Sequence, residues 1–512
     1  MGLGWQVTRG VFGATNAASR SMNRAGRTMA NQAATNAAMR RANRGSRAVS
    51  RGLIGPWDQV PAGAQDFLDY SGVARPADIS PQTWAFPLGR YVKPKTSLMS
   101  RSFPAEGEIG ITPRTANKHT VVYAPSQIGK STSIIAPWIH AAMGQGYFVV
   151  ALDLKGNGDL LDMVQTYARA AGDLPDVALT NFDYTDAQRS ATWNWISDLN
   201  GEDGAITTAA TAIIGDDREV DPNREFRLRD LKWLQGLLEY ASTSDHPWTV
   251  ASLLRLLHDQ PRLAQYVGND APQRAQTRLR DLISLSPDDY HTRVQFLVTY
   301  LEALNTHDFN RVTGRRGIDL SRVSDEPGLL VVTAPLAHGR SSTAVSGLFL
   351  SQFIRQQMLQ FNRSSRPVLL VLDEAPRLAD RLNLAQLLTT SASSGMSILL
   401  ALQEVTDFDE QQRETILANC GTHILMAGAG PETTDYFGRR LGNRTVARQT
   451  QSMNHSRQSG ATFQTGVQNS DVPVLGRTEM ANPPGSAYAG IVHCRDLSAK
   501  PILVDLVRAD LS

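Results

Sequence analysis

Short apolar runs of four to six residues recur at Thr120–Tyr123, Tyr147–Leu152, Leu329–Thr333, Val368–Leu372, Ser397–Leu402 and Thr422–Met426. Each is too short for a helix that buries one face, and most are leucine- or valine-rich, so each predicts a buried strand. Helix-compatible stretches follow the first two runs. One spans Lys130–Met143 and is broken by Pro137, and the other passes through Leu160, Leu161, Met163 and Val164. Strand and helix in alternation predict a mostly parallel, doubly wound α/β sheet.

Between about 200 and 320 the period changes. Leu231, Leu234, Leu238 and Ala241 recur at helical spacing, as do Phe296, Leu297, Tyr300, Leu301 and Leu304, and strand signals are nearly absent. An all-α domain at 200–323 is therefore expected, inserted between two parts of an α/β domain at 119–199 and 324–512. Residues 56–118, rich in proline, glycine and aromatics, read as a lead-in of short strands and loops. The serine-, glutamine- and asparagine-rich stretch 449–472 reads as a mobile surface loop.

Composition adds limits. With 512 residues, 41% hydrophobic and 20% charged, the chain falls among ordinary soluble globular proteins. A net charge of +2 does not by itself announce a nucleic-acid partner, so basic surface must be sought locally. It is found in the arm at 1–55: residues 1–51 hold nine arginines, no lysine and no acid. With so few large apolar residues the arm reads as a solvated extension, or as counter-charge to DNA phosphates or anionic lipid. Trp5, Val7, Val11 and Phe12 could add a weak interfacial anchor to it. Cys420 and Cys494 are far apart and outside any CxxC pattern, which supports neither a disulfide framework nor a zinc site and fits a reducing, cytosolic setting. No apolar run reaches 18 residues, so neither a transmembrane helix nor a signal peptide is expected.

The segment Ala124-Pro125-Ser126-Gln127-Ile128-Gly129-Lys130-Ser131, followed by Thr132, fits the phosphate-binding loop with alanine at its first glycine. It lies between a predicted strand and a predicted helix, as the chemistry requires. Backbone N–H groups there surround phosphates, Lys130 reaches the β/γ oxygens, and the Ser131 hydroxyl faces Mg²⁺. A second signal, Val368–Leu372 followed by Asp373 and Glu374, is a Walker B strand: Asp373 for the Mg²⁺ shell, Glu374 to orient and activate the attacking water. A third strand ends at Gln403, whose carboxamide could contact the γ-phosphate or its water. With Asp153 these polar groups stand at strand C-terminal ends, where open α/β sheets place ligands.

On these residues the sequence resembles the TraG/TraD-like coupling-protein ATPases of conjugation and type IV secretion, which are related to the FtsK/HerA DNA motors. Leu152-Asp153-Leu154-Lys155-Gly156 is similar to the family's "DPKG" strand end, and Asp373–Leu378 to its "DEFxxLG" segment. Leu399–Gln403 is similar to its "LxxQ" strand, Ile416–Cys420 to "ILxNC", and Thr434–Tyr436 with Leu441–Val446 to "TxxYxSxxLGxxTV". The resemblance covers roughly 120–195 and 325–500. It implies a RecA-like P-loop NTPase that uses ATP and Mg²⁺, with an all-α domain that engages DNA or secreted substrate. It also implies a homo-hexameric ring, non-specific contact with single- or double-stranded DNA, a relaxase or other secreted protein as cargo, and inner-membrane secretion components as partners. The location implied is cytoplasmic, peripheral on the cytoplasmic face of the membrane where it is attached.

The family usually has transmembrane helices ahead of the motor, where this sequence reads as the arginine-rich arm, so attachment to a membrane is expected to be peripheral, through a partner, or absent. The chain also lacks an arginine before the Gln403 strand, where it reads Ala392-Ser393-Ser394-Gly395, so Arg377, Arg381 and Arg413 stand as finger candidates. No role is derived for Lys155. Two other functions stay open: a soluble FtsK/HerA-type DNA translocase, and a receptor that uses nucleotide as an assembly switch with little hydrolysis.

Overall fold

Alternating side chains along each short strand feed two separate cores. Val121 and Tyr123, Val150 and Leu152, Leu330 and Val332, and Leu370 and Leu372 enter one core. Their neighbours Val122, Val149, Ala151, Leu329, Val331, Leu369 and Val371 enter the other. A strand that is apolar on both sides must be covered on both sides, which is why these runs read as continuous rather than alternating. Each such leucine or valine contributes about 1.5–3 kcal/mol relative to exposure.

The computed structural model describes residues 72–80, 85–93, 105–156, 158–170, 178–215, 224–360, 366–379, 381–456 and 460–506. The arginine-rich arm and its candidate anchor residues lie outside the described residues.

The strands are β1 (Phe86–Val92), β2 (Ala105–Ile111), β3 (Thr120–Tyr123), β4 (Phe148–Asp153), β5 (Ala178–Asp183), β6 (Gly328–Thr333), β7 (Val368–Leu372), β8 (Met396–Leu402), β9 (Thr422–Met426), β10 (Asn443–Ser456), β11 (Gly460–Pro473), β12 (Ala489–Cys494) and β13 (Ile502–Leu506). Eleven form one sheet in the order β2-β1-β13-β12-β9-β3-β8-β7-β4-β6-β5. From β9 to β5 every neighbouring pair is parallel. From β9 outward to β2 every pair is antiparallel.

One face of the sheet is covered by α1 (Ala136–Gly144) and α2 (Asp159–Ala170), through Trp138, Ile139, Leu160 and Val164. Pro137 does not break the first helix. The chain makes a π turn over Ser131–Ile135 and enters α1 with the proline in its first turn, where a missing N–H costs little.

On the other face the core continues into the helices between β5 and β6: α3 (Asp203–Ile214), α4 (Arg224–Thr243), α5 (Val250–Leu257), α6 (Gln260–Asn269), α7 (Gln273–Ile283), α8 (Pro287–Glu302) and α9 (His307–Thr313). The sequence punctuates them. Thr249, Asp259, Ser286 and Thr306 each accept a backbone N–H at a helix start, the capping that limits each helix to a few turns. The long α10 (Arg340–Gln360) joins the same core through Phe349 and Phe353, and Gln352 donates to the Ala205 carbonyl at 2.8 Å, tying α10 to α3.

The expected loop at 449–472 is corrected by the structure. Its described residues, 449–456 and 460–472, lie in an antiparallel ribbon in which β10 and β11 pair in register from Asn443↔Pro473 to Ser456↔Gly460. Backbone pairing alone builds such a ribbon, so a polar sequence without an alternating apolar face can adopt it.

Candidate nucleotide site

Because β3, β8, β7 and β4 are consecutive neighbours in the sheet, their C-terminal ends bring the polar residues that follow them to one crevice. Beyond β3 the loop at 124–130 takes left-handed backbone angles at Gln127 (φ 66°) and Gly129 (φ 92°). Such alternation of handedness turns successive N–H groups toward one side, a nest for anionic oxygens. At Gly129 no other residue fits: a Cβ there would lie 2.3 Å from Tyr488 Cε1. Ala124 is buried, Pro125 and Ile128 are half-buried, and Ser126 and Gln127 are exposed. The Thr132 hydroxyl donates to the Gly129 carbonyl at 3.0 Å, bracing the loop from within.

Lys130 is 6% exposed and its Nζ lies 2.7 Å from Asp373 Oδ1 and 3.6 Å from Glu374 Oε1. Glu374, directly after Asp373, adopts a left-handed conformation (φ 58°, ψ 41°). For a residue with a side chain this costs about 1 kcal/mol or more, and such strain persists where neighbours hold the residue in place. Here the neighbour is Gln403, whose Nε2 donates to Glu374 Oε1 at 2.9 Å. The structure thus brings Lys130, Asp373, Glu374 and Gln403 together.

Asp153 does something different. Its Oδ1 accepts the backbone N–H groups of Lys155 (3.0 Å) and Gly156 (3.1 Å), shaping the turn after β4. That turn carries Lys155 to the site, where Nζ lies 3.5 Å from Asp373 Oδ2 and donates to Ser131 Oγ at 3.4 Å. A positive charge therefore fits between a hydroxyl and a carboxylate. These are the hard oxygen donors that suit Mg²⁺.

The three finger candidates separate. Arg381 donates to the Ile213 carbonyl at 2.7 Å, which ties α3 to the turn after β7. Arg413 lies mostly buried beside Glu410. Arg377 is exposed on the short helical turn Ala375–Leu378, immediately after Glu374.

Two residues near the site had no sequence signal for their positions. Tyr488, just before β12, reaches the phosphate loop from a segment remote in sequence. Glu404, next to Gln403, accepts the Gly430 N–H at 3.1 Å and the Thr433 hydroxyl, and so clamps the start of α11 (Pro431–Leu441). That helix leads into the β10–β11 ribbon.

Residues 367–484, from the edge of β7 past the ribbon, match the family model described as the TraM recognition site of TraD and TraG. The resemblance to TraG/TraD-like coupling proteins holds. Solved coupling-protein structures share the fold. The chain matches the conjugative coupling protein TrwBdeltaN70 in complex with sulphate, and TrwB in complex with ADP and Mg²⁺, each at TM-score 0.58 and 14% identity. Each of these matches covers 85% of this chain and 97% of the other. VirB4 of Thermoanaerobacter pseudethanolicus matches at TM-score 0.51 and 13% identity, over 84% of this chain and 98% of that one. No curated protein matches by sequence. The fold is therefore the RecA-like P-loop fold of these coupling proteins. Among the described residues no helix is long and apolar enough to cross a membrane.

Proposed function

We propose that the chain is an ATP-hydrolysing coupling motor that recruits DNA or a DNA–protein complex and moves it toward a conjugative type IV secretion channel. The observation that carries this reading is the convergence of Lys130, Asp373, Glu374 and Gln403 at one crevice beside a phosphate-shaped loop. The resemblance to proteins whose structures were solved with nucleotide and Mg²⁺ supports the same assignment.

In this reading the loop N–H groups and the start of the 131–144 helical run hold the phosphates of ATP. Lys130 leaves Asp373 for the β/γ oxygens, where its charge offsets charge that develops in transfer. Ser131 and Asp373 would hold Mg²⁺, which would neutralise phosphate charge there. Glu374 accepts a proton from the attacking water, and Gln403 fixes the carboxylate that does so. Arg377, exposed beside Glu374, is the residue best placed to reach a neighbouring subunit of a homo-hexamer. Cargo contact would fall to the helical segment, and membrane association to a partner or to the arginine-rich arm on the cytoplasmic face. A relaxase or other secreted protein would be the cargo and inner-membrane secretion components the docking partners.

The test is steady-state ATP hydrolysis by the full chain with and without single- and double-stranded DNA, beside Lys130→Ala and Glu374→Gln. Stimulation by DNA that both substitutions abolish is the expected result. Hydrolysis that ignores DNA in an assembled ring would overturn the motor and favour a nucleotide-switched receptor.

A further inference from the structure

Asp373 faces two lysines. Lys130 approaches Oδ1 at 2.7 Å, and Lys155 approaches Oδ2 at 3.5 Å while donating to Ser131 Oγ at 3.4 Å. The second lysine is not a stray surface charge, because its backbone is built into place. Asp153 Oδ1 takes its N–H, the Leu154 carbonyl accepts from Leu336 N at 2.9 Å, and the Asp153 carbonyl accepts from Ala334 N at 2.8 Å. Gly156 packs so closely on Pro335 that a Cβ would lie 2.5 Å from its Cγ. From this fixed base a side chain that is 56% exposed bends inward to the two oxygen donors that the proposed reading assigns to the metal.

We infer that Lys155 is a built-in substitute for the divalent cation, supporting triphosphate binding before Mg²⁺ arrives and competing with it afterwards. The inference rests on the nucleotide-site reading above. Once Lys130 turns to the phosphates, Asp373 would be left as an uncompensated, nearly buried carboxylate beside a highly anionic ligand. Lys155 prevents this, since its Nζ already lies between Asp373 Oδ2 and the Ser131 hydroxyl. A lysine suits the task better than an arginine, as a compact charge on a flexible stem that can withdraw to solvent. Lys155 withdraws when a doubly charged ion claims the same oxygens, because like charges at that separation repel.

The test measures binding of a fluorescent ATP analogue to the full chain, once in EDTA and once in saturating Mg²⁺. The quantity read is the ratio of the two affinities. Lys155→Met and Lys155→Gln are expected to shift this ratio about tenfold against metal-free binding, with Lys155→Arg close to wild type. In the same series, the Mg²⁺ concentration that half-restores tight binding falls for the two neutral variants, because a competitor has been removed. A ratio within about twofold of wild type in both neutral variants would overturn the inference. If wild type itself shows no saturable binding in Mg²⁺, and Lys130→Ala behaves identically, the nucleotide site is what fails and the inference falls with it.

Discussion

Gln403 Nε2 donates to Glu374 Oε1 at 2.9 Å, joining the ends of two adjacent parallel strands across the crevice. The bond occupies one oxygen of a carboxylate whose backbone is left-handed, so Gln403 helps to fix where Glu374 can place a water. Gln403→Ala is expected to lower kcat by about tenfold to a hundredfold with ATP affinity nearly kept, and Glu374→Gln to lower it at least about a hundredfold. Steady-state hydrolysis beside calorimetric ATP binding separates the two effects. A Gln403→Ala chain with wild-type kcat would remove the positioning role.

Gly129 and Tyr488 are in contact that leaves no room for a methyl group. Gly129→Ala meets two obstacles, the ring at 2.3 Å and a φ of 92° that side chains avoid. Nucleotide affinity is expected to fall at least about tenfold, since the loop must move to relieve the clash. Adding Tyr488→Ala removes the ring but not the backbone strain. Full recovery in the double variant would show that sterics alone require the glycine, and the expectation here is partial recovery.

Much of this site was legible because its residues follow strands that are apolar on both sides. Thr120–Tyr123, Val368–Leu372 and the strand ending at Leu402 announce themselves by composition, so the phosphate loop after the first and Asp373 and Gln403 after the other two fall at strand ends. Of the outer half of the sheet, the sequence shows only short strands somewhere in 56–118, where β1 and β2 lie, and no signal for β12 or β13. β12 and β13 pair antiparallel with each other beyond β9, and what places them in the sheet is their outer partners, β9 and β1, which lie far off in sequence. The ribbon was missed for a related reason: its stability is in the backbone ladder, and its glutamines and serines carry no periodic signal. Lys155 was visible as part of a strand end, yet its meeting with Asp373 and Ser131 depends on the order β7-β4, which only the sheet supplies.

Glu404 offers a mechanical prediction. Its carboxylate accepts from Gly430 N and the Thr433 hydroxyl while the preceding residue contacts Glu374, so one backbone step links the crevice to α11 and the ribbon beyond it. Glu404→Ala removes two charge-assisted hydrogen bonds at a helix start and is expected to cost about 2 kcal/mol of stability. Glu404→Gln keeps one of the two acceptor oxygens and turns an amide NH2 to the other partner, so it should cost about half of that. Urea unfolding of the three chains decides it, and equal stability of all three would show that the clamp carries no weight.

Asp198 gives a pH dependence whose sign can be worked out. Burial pushes its carboxyl up to about 6 from an ordinary 3.8, only partly opposed by the Trp193 Nε1–H, which donates to Oδ2 at 2.8 Å; Asp319 adds to the rise. A folded-state value above the unfolded one means that the native chain holds the proton more tightly. The associated stability is therefore complete below about pH 4 and is lost as pH rises through about 6. At pH 8 the ionised, buried carboxylate costs on the order of 2–3 kcal/mol. Asp198→Asn keeps an acceptor for Trp193 and cannot ionise, so it should melt higher than wild type at pH 8 and close to wild type at pH 4. Thermal melts at intervals between those limits should show the gap opening between pH 4 and 6. A gap that is constant with pH, or a variant destabilised throughout, would mean that Asp198 is ionised in the native chain and held by charges other than those named.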